Sequence, residues 1–332
     1  MLHGDNQPLR AGGQIHGAAH SQQRLAGYGP IGQIGLLVHL QTNTSHIEQQ
    51  LCAVLAGWPT DRAAATADIT IKLQLADELP PLPAPTPIFT DGGDRILHVY
   101  QIDEDDAWLH FLDGGLVRVP LNGATTIDGV VTAGLLGVNG RLEDVLYTSL
   151  APLLRRRGLF MVHAFAASKN GRCVLLVGPT QSGKTTTGLS LLLHGWQLLA
   201  NDVVLLHQRD DGIYALPTPG TLGIRPKTFA LLPQLHENLG LINSRWAAPS
   251  PVTALLFPQI LVDEGKKTAV LPHHRAIALT QLMAESMDRW DTPTFTPHLT
   301  LLQQLCQQAV TYQLHLGSNV DTIPAHIEQV IF

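Results

Sequence analysis

Charge is scarce in this chain: Asp, Glu, Lys and Arg make up 14% of its 332 residues, and 27 acidic residues against 21 Lys and Arg leave a formal net charge of −6. No lysine-rich tract occurs, so the electrostatic footprint of a nucleic-acid binder is missing and nucleic acid is not an expected partner. Cysteine is scarce as well. Cys52, Cys173 and Cys306 stand far apart without ligand or disulfide spacing, which predicts buried thiols in a reducing compartment. His273-His274 and the acidic run Asp103 to Asp106 also lack ligand spacing and read as structural. No apolar run reaches membrane-spanning length, and the N-terminus shows no charged segment followed by an apolar one. The expectation is a soluble cytoplasmic protein without a membrane partner.

Hydrophobic residues, by contrast, make up 45% of the sequence, enough for one or two substantial cores and an expected pair of domains. Residues 1–33 are rich in Gly, Gln, His and Ala without an apolar period and predict a disordered or late-docking arm. Residues 34–140 read as a small α+β domain. A strand over 34–40 leads through the Thr44-Ser45 cap into a helix carrying Ile47, Leu51, Val54 and Leu55 on one face. Ile69, Ile71, Leu73 and Leu75 alternate as a half-buried strand, and the proline-rich stretch 80–87 makes a stiff connector. Residues 96–102, 107–112 and 116–119 predict short antiparallel strands. Residues 141–332 form the expected second domain. It opens with a helix over 142–154 that ends in Arg155, Arg156 and Arg157, read as a solvated helix terminus, and Gly158. Strands are predicted over 159–167, 173–177, 196–199 and 203–207, a hairpin from 260–262 and 269–271, helices over 276–283 and 299–310, a strand over 311–316 and a helix from Ile323.

The most informative segment is Gly178-Pro179-Thr180-Gln181-Ser182-Gly183-Lys184-Thr185-Thr186, set between the apolar run 173–177 and the helical pattern of Leu189, Leu192 and Leu193. Two glycines, a lysine and a hydroxyl at this spacing between a strand and a helix predict a phosphate-binding loop. The backbone curls so that N–H groups face an anion, Lys184 meets the β/γ oxygens, Thr185 offers its hydroxyl to Mg²⁺, and the helix N-terminus adds its positive end. A nucleoside triphosphate, ATP with Mg²⁺, is the expected ligand. Asn201-Asp202 interrupts an otherwise apolar stretch, where a strand next to the loop strand could present a carboxylate to the metal. His163 lies in the preceding apolar strand, and a reversal over 168–172 would bring it to the loop. Arg225 and Lys227 follow a Pro/Gly loop and read as surface residues before phosphate clamps.

Three segments, Met161-Val162-His163-Ala164, the run from Leu175 to Thr185, and the run from His194 to Val204, together resemble the catalytic domain of the HPr serine kinase/phosphorylase family. The resemblance covers about residues 158 to 230. It implies an α/β fold with a P-loop kinase domain of the HPr kinase/phosphoenolpyruvate carboxykinase type, phosphoryl transfer from Mg-ATP to a serine of a small protein or peptide, and a symmetric homo-oligomer. It also implies that residues 178–186 hold the nucleotide, that Thr185 and Asp202 meet the metal, and that His163 is an active-site histidine. The family's paired acid is Asp-Asp, whereas this chain has Asn201 before Asp202, and its downstream Gly-Arg-Asn segment is missing. An amide cannot act as a base, so Asp202 or His163 must take that role. The competing expectation is a nucleotide-gated peptide-binding module, or an ATPase, with a degenerate kinase site.

Overall fold

The computed structural model describes residues 22–27, 36–55, 68–91, 97–218, 220, 222–242, 246–261 and 267–332. The N-terminal part contains β1 (Gln22–Gly27), β2 (Leu36–Thr42), α1 (Ser45–Val54), β3 (Ile69–Leu75), β4 (Phe89–Asp91), β5 (Leu97–Tyr100), β6 (Asp106–Phe111), β7 (Gly115–Pro120) and β8 (Thr126–Val131). These strands form one sheet in the order β1-β2-β3-β8-β7-β6-β5-β4. Thr44 starts α1, its Oγ1 accepting from the Ile47 N–H at 3.3 Å, and Ile47 and Leu51 turn the buried face inward. Ile69, Ile71 and Leu73 of β3 alternate into the same core.

The structure goes beyond the sequence reading in two places. The strands expected over 96–102, 107–112 and 116–119 pair antiparallel as β5, β6 and β7, but β2, β3 and β8 of the same sheet run parallel, and β8 has no counterpart among the anticipated strands. Gln22–Gly27, within the arm expected to be disordered or late-docking, pairs antiparallel with β2. An edge strand is held by main-chain hydrogen bonds, which an absent apolar period does not register. The rest of that arm, residues 1–21 and 28–33, lies outside the described residues.

Helices α2 (Ala133–Leu136) and α3 (Arg141–Arg155) lead into the second half. Leu142, Val145, Leu146, Leu150, Leu153 and Leu154 of α3 are buried in a core shared with the first sheet and with Leu159, Leu205 and Trp290 beyond it. The boundary expected at 140/141 thus falls at the start of a helix that packs on both sides of it. The second half comprises β9 (Leu159–Lys169), β10 (Arg172–Val177), α4 (Lys184–Leu193), β11 (Gln197–Ala200), β12 (Val203–Arg209), β13 (Gly212–Leu216), α5 (Pro226–Leu231), α6 (Leu235–Ile242), β14 (Ser250–Ile260), β15 (Ala269–Pro272), α7 (Arg275–Ala284), α8 (Thr292–Gln308), β16 (Val310–Leu316) and α9 (Ile323–Ile331).

The second sheet runs β10-β9-β12-β13-β14-β16-β15, and a parallel β10–β14 pairing closes five of its strands into a ring. With the first sheet it makes a mixed α/β architecture. The hairpin expected from 260–262 and 269–271 does not form. β14 is an eleven-residue strand lying parallel to both β10 and β16, β15 pairs with β16 instead, and residue 262 is outside the described residues. Continuous apolar residues such as Leu255, Leu256 and Phe257 mark a strand buried on both faces, a pattern that alternation does not detect.

The arginines at the end of α3 also depart from expectation. Arg155 is buried and donates to Asp291 Oδ2 at 2.8 Å, to Asp288 at 2.5 Å and to Thr294 Oγ1 at 2.9 Å, while Arg156 forms two 3.0 Å bonds to Asp291. Arg156 and Arg157 also act as terminus residues, capping the Pro152 and Leu153 carbonyls. The acids return 133 and 136 residues later in the chain, so no local pattern announces them.

Removing one partner of such a buried pair strands the other charge, so Arg155→Ala should lower unfolding free energy by about 3–5 kcal/mol at neutral pH in urea titrations. Burial by itself would raise the Asp291 pKa, but the Arg156 hydrogen bond and the Arg155 charge hold it below the ordinary 3.8. A carboxylate lowered on folding stabilises above its unfolded pKa and loses that contribution as pH falls through the folded value. The urea midpoint should therefore drop steeply below about pH 4, and Asp291→Asn should flatten that acid limb while lowering the neutral plateau.

Candidate functional site

The site is set by the register of β9. Its first half, from Leu159 to His163, pairs with β12, and its second half, from Ala164 to Lys169, pairs with β10. Asn170 (φ 53°) and Gly171 (φ 72°) make the tight reversal between β9 and β10, a left-handed pair suited to a two-residue hairpin. The reversal expected over 168–172 is therefore present. Ala164 sits opposite Val177, so the residue before it, His163, lies beside the point where β10 gives way to the loop at Gly178. On its other side His163 is paired with Val203, next in the chain after Asp202.

Three left-handed residues shape the loop between β10 and α4: Gly178 (φ 155°), Gln181 (φ 68°) and Gly183 (φ 104°). At Gly183 the left-handed φ itself calls for glycine, and a Cβ would lie 2.4 Å from Leu316 Cδ1, so that side-chain end would have to shift. Lys184 curls back over the loop, its Nζ donating to the Gly178 carbonyl at 2.5 Å and the Pro179 carbonyl at 3.0 Å. Burial lowers its pKa, an effect opposed by the charges of Glu285 and Asp202. Ser182 Oγ is buried without a hydrogen-bond partner. Thr186 Oγ1 meets Thr228 Oγ1 at 3.1 Å and ties α4 to α5.

Asn201 and Asp202 occupy the connection between β11 and β12. Both of those strands pair with β9, which separates them from β10, so the carboxylate is presented one strand farther from the loop strand than the sequence suggested. Asp202 Oδ1 lies 3.0 Å from His163 Nε2. The other ring nitrogen, Nδ1, lies 2.7 Å from Glu285 Oε2, just beyond the end of α7. Desolvation would lower the His163 pKa, but the hydrogen bonds to Asp202 and Glu285 outweigh it and raise the value above the ordinary 6.5, with the Lys184 charge opposing.

A cleft of about 1240 Å³ opens over these groups. His163, Asn201, Asp202, Thr180, Gln181, Gly183, Lys184, Thr185 and Thr186 line it, whereas Gly178, Pro179 and Ser182 do not. Arg225 and Lys227, read as surface residues, are exposed and also face the cleft from the start of α5. The opposite wall comes from the N-terminal half: Gln50 and Val54 of α1, Asn139 and Gly140 before α3, and Glu143 in its first turn. Sequence reading anticipated neither this wall nor Glu285. Glu285 is 122 residues from His163 and carries no motif of its own.

Among the described residues no cluster of three or more His, Cys, Asp or Glu is arranged to hold a metal ion. Mg²⁺ does not need one, because it commonly takes one or two protein oxygens and completes its shell with water and substrate phosphates. The Thr185 hydroxyl and the Asp202 carboxylate are hard oxygen donors of that kind on one cleft, and the residues fit a Mg-triphosphate. No helix among the described residues is long and apolar enough to cross a membrane.

No family model and no curated protein matches the chain. Among solved structures, the HPr(Ser) kinase/phosphatase from Coxiella burnetii aligns over 52% of this chain and 93% of its own, at 12% identity and a TM-score of 0.26. That likeness is weak and carries no conclusion about activity.

The loop's helix is seated by Gly188, where a Cβ would come within 2.3 Å of the Phe165 ring. Helix propensity alone would favour alanine here by nearly 1 kcal/mol. Overpacking should reverse the sign, so Gly188→Ala should destabilise by about 1–3 kcal/mol in chemical denaturation.

Proposed function

We propose that this chain is a phosphotransferase that moves the γ-phosphoryl group of ATP to a hydroxyl, a serine of a small protein or peptide. The observation that carries the reading is the opening of Asp202, backed by His163, into the same cleft as Lys184 and Thr185. The left-handed loop from Gly178 to Gly183 and the N-terminus of α4 would cradle the triphosphate, and Lys184 would exchange its loop carbonyls for phosphate oxygens. Bound Mg²⁺, held by Thr185 and Asp202, would neutralise charge on the β and γ phosphates.

Asp202 is the residue proposed to receive the proton. It is an acid where Asn201 is an amide, and the His163 Nε2 beside it stabilises its charge. The acceptor oxygen loses its proton to Asp202 and bonds to the γ phosphorus, while the bond from that phosphorus to the β–γ bridging oxygen breaks and ADP departs. Positioning and charge neutralisation supply most of the acceleration in such chemistry. The N-terminal wall, with Gln50, Asn139 and Glu143, is where an acceptor would lie.

Asn201 motivates a second reading, a degenerate kinase that retains only nucleotide-gated binding or hydrolysis. Lys184→Ala should abolish both nucleotide binding by calorimetry and transfer from γ-labelled ATP. Asp202→Asn should spare binding and lower transfer by about 10²–10⁴-fold, and undiminished transfer in that variant would refute the role given to Asp202. A large gain of transfer in Asn201→Asp would favour the degenerate reading over the enzyme.

A further inference from the structure

Resting on the phosphotransfer reading, we propose that Glu285 is a positioning residue that fixes the His163 ring with Nδ1 turned away from the cleft and Nε2 on Asp202. Glu285 grips the histidine twice. Its main-chain carbonyl accepts from the His163 N–H at 2.8 Å, and its carboxylate accepts from Nδ1 at 2.7 Å. A carboxylate can only accept, so Nδ1 carries a proton whether the ring is neutral or charged. The other ring nitrogen, Nε2, is thereby directed at Asp202 Oδ1 at 3.0 Å, where a proton on it donates to the carboxylate.

Glu285 is itself held in place from both sides. Its N–H bonds to the Gln281 and Leu282 carbonyls at the end of α7, and the chain that follows is pinned through Asp288 and Asp291 to Arg155 and Arg156 of α3. Its carboxylate is mostly buried, with 14% of the side chain exposed. A buried carboxylate directed at a ring nitrogen from a separate element orients the ring, much as outer carboxylates orient metal-bound histidines.

Without Glu285 the ring would be free to rotate, and the contact of Nε2 with Asp202 would be lost. The test combines two readouts on the full chain. In the first, ¹⁵N-histidine labelling with long-range ¹H–¹⁵N correlation, the His163 signal assigned by its loss in H163Q, should show Nδ1 protonated in the wild type and in E285Q but not in E285A. In the second, E285A should lower kcat for transfer or hydrolysis by about 10- to 100-fold without raising KM for ATP, and E285Q, whose amide oxygen can still accept, should recover most of the loss.

An Nε2-protonated, Nδ1-bare ring in the wild type overturns the proposal and needs no glutamate variant. So does an E285A protein matching the wild type in both readouts. A wild type without transfer or hydrolysis would sink the phosphotransfer reading instead, and the ring signals would still decide the placement of Glu285.

Discussion

The arrangement of polar groups depends on one strand, β9, holding the loop strand and the acid-bearing segment at once. Had β9 paired along its full length with β10 alone, His163 would face the loop strand with no route to Asp202. β11 and β12 run in succession along β9 while β10 pairs with its second half, and the bond from the Ala164 N–H to the Asp202 carbonyl fastens the Asn201-Asp202 connection to β9. Main-chain hydrogen bonds, strongly directional and costly to leave unmade when buried, thus fix the spacing between the loop and the acid before any side chain acts.

The electrostatics build on that scaffold. Lys184, His163, Asp202 and Glu285 are brought together at a half-buried cleft, where the effective dielectric is lower than in water and each charge acts strongly on its neighbours. A lone lysine or histidine there would be driven neutral by desolvation. For His163 the two carboxylates reverse that tendency, and for Lys184 they oppose it. A site that concentrates perturbed groups in this way beside an anion-shaped loop is suited to handling phosphate charge, which is the physical basis of the proposed function.

The N-terminal half is more than an appendage in this geometry. Helix α3 buries one face in the core it shares with the first sheet, presents its first turn to the cleft, and at its other end clamps the segment that carries Asp288 and Asp291. One rigid element therefore links the wall opposite the loop to the segment that follows Glu285. Rigid support of this kind is what keeps functional side chains within the narrow tolerances that chemistry needs.

Local features of the structure were legible in the sequence because their causes are local. The cap at Thr44, the alternation of Ile69, Ile71 and Leu73, and the glycines and lysine from Gly178 to Lys184 each act within a few residues. His163 and Asp202 could be singled out as polar residues in apolar stretches, and the reversal at Asn170-Gly171 could be anticipated. Long-range pairings could not. The parallel placement of β14 between β10 and β16, the burial of Arg155 against Asp291, and the approach of Glu285 to His163 join residues 56 to 136 positions apart. Such contacts are decided by which buried charges and strand edges must find partners once the chain is compact. The sequence by itself determined the loop and the polar residues that punctuate its strands; tertiary packing alone decided which carboxylates would meet His163 and what would stand across the cleft.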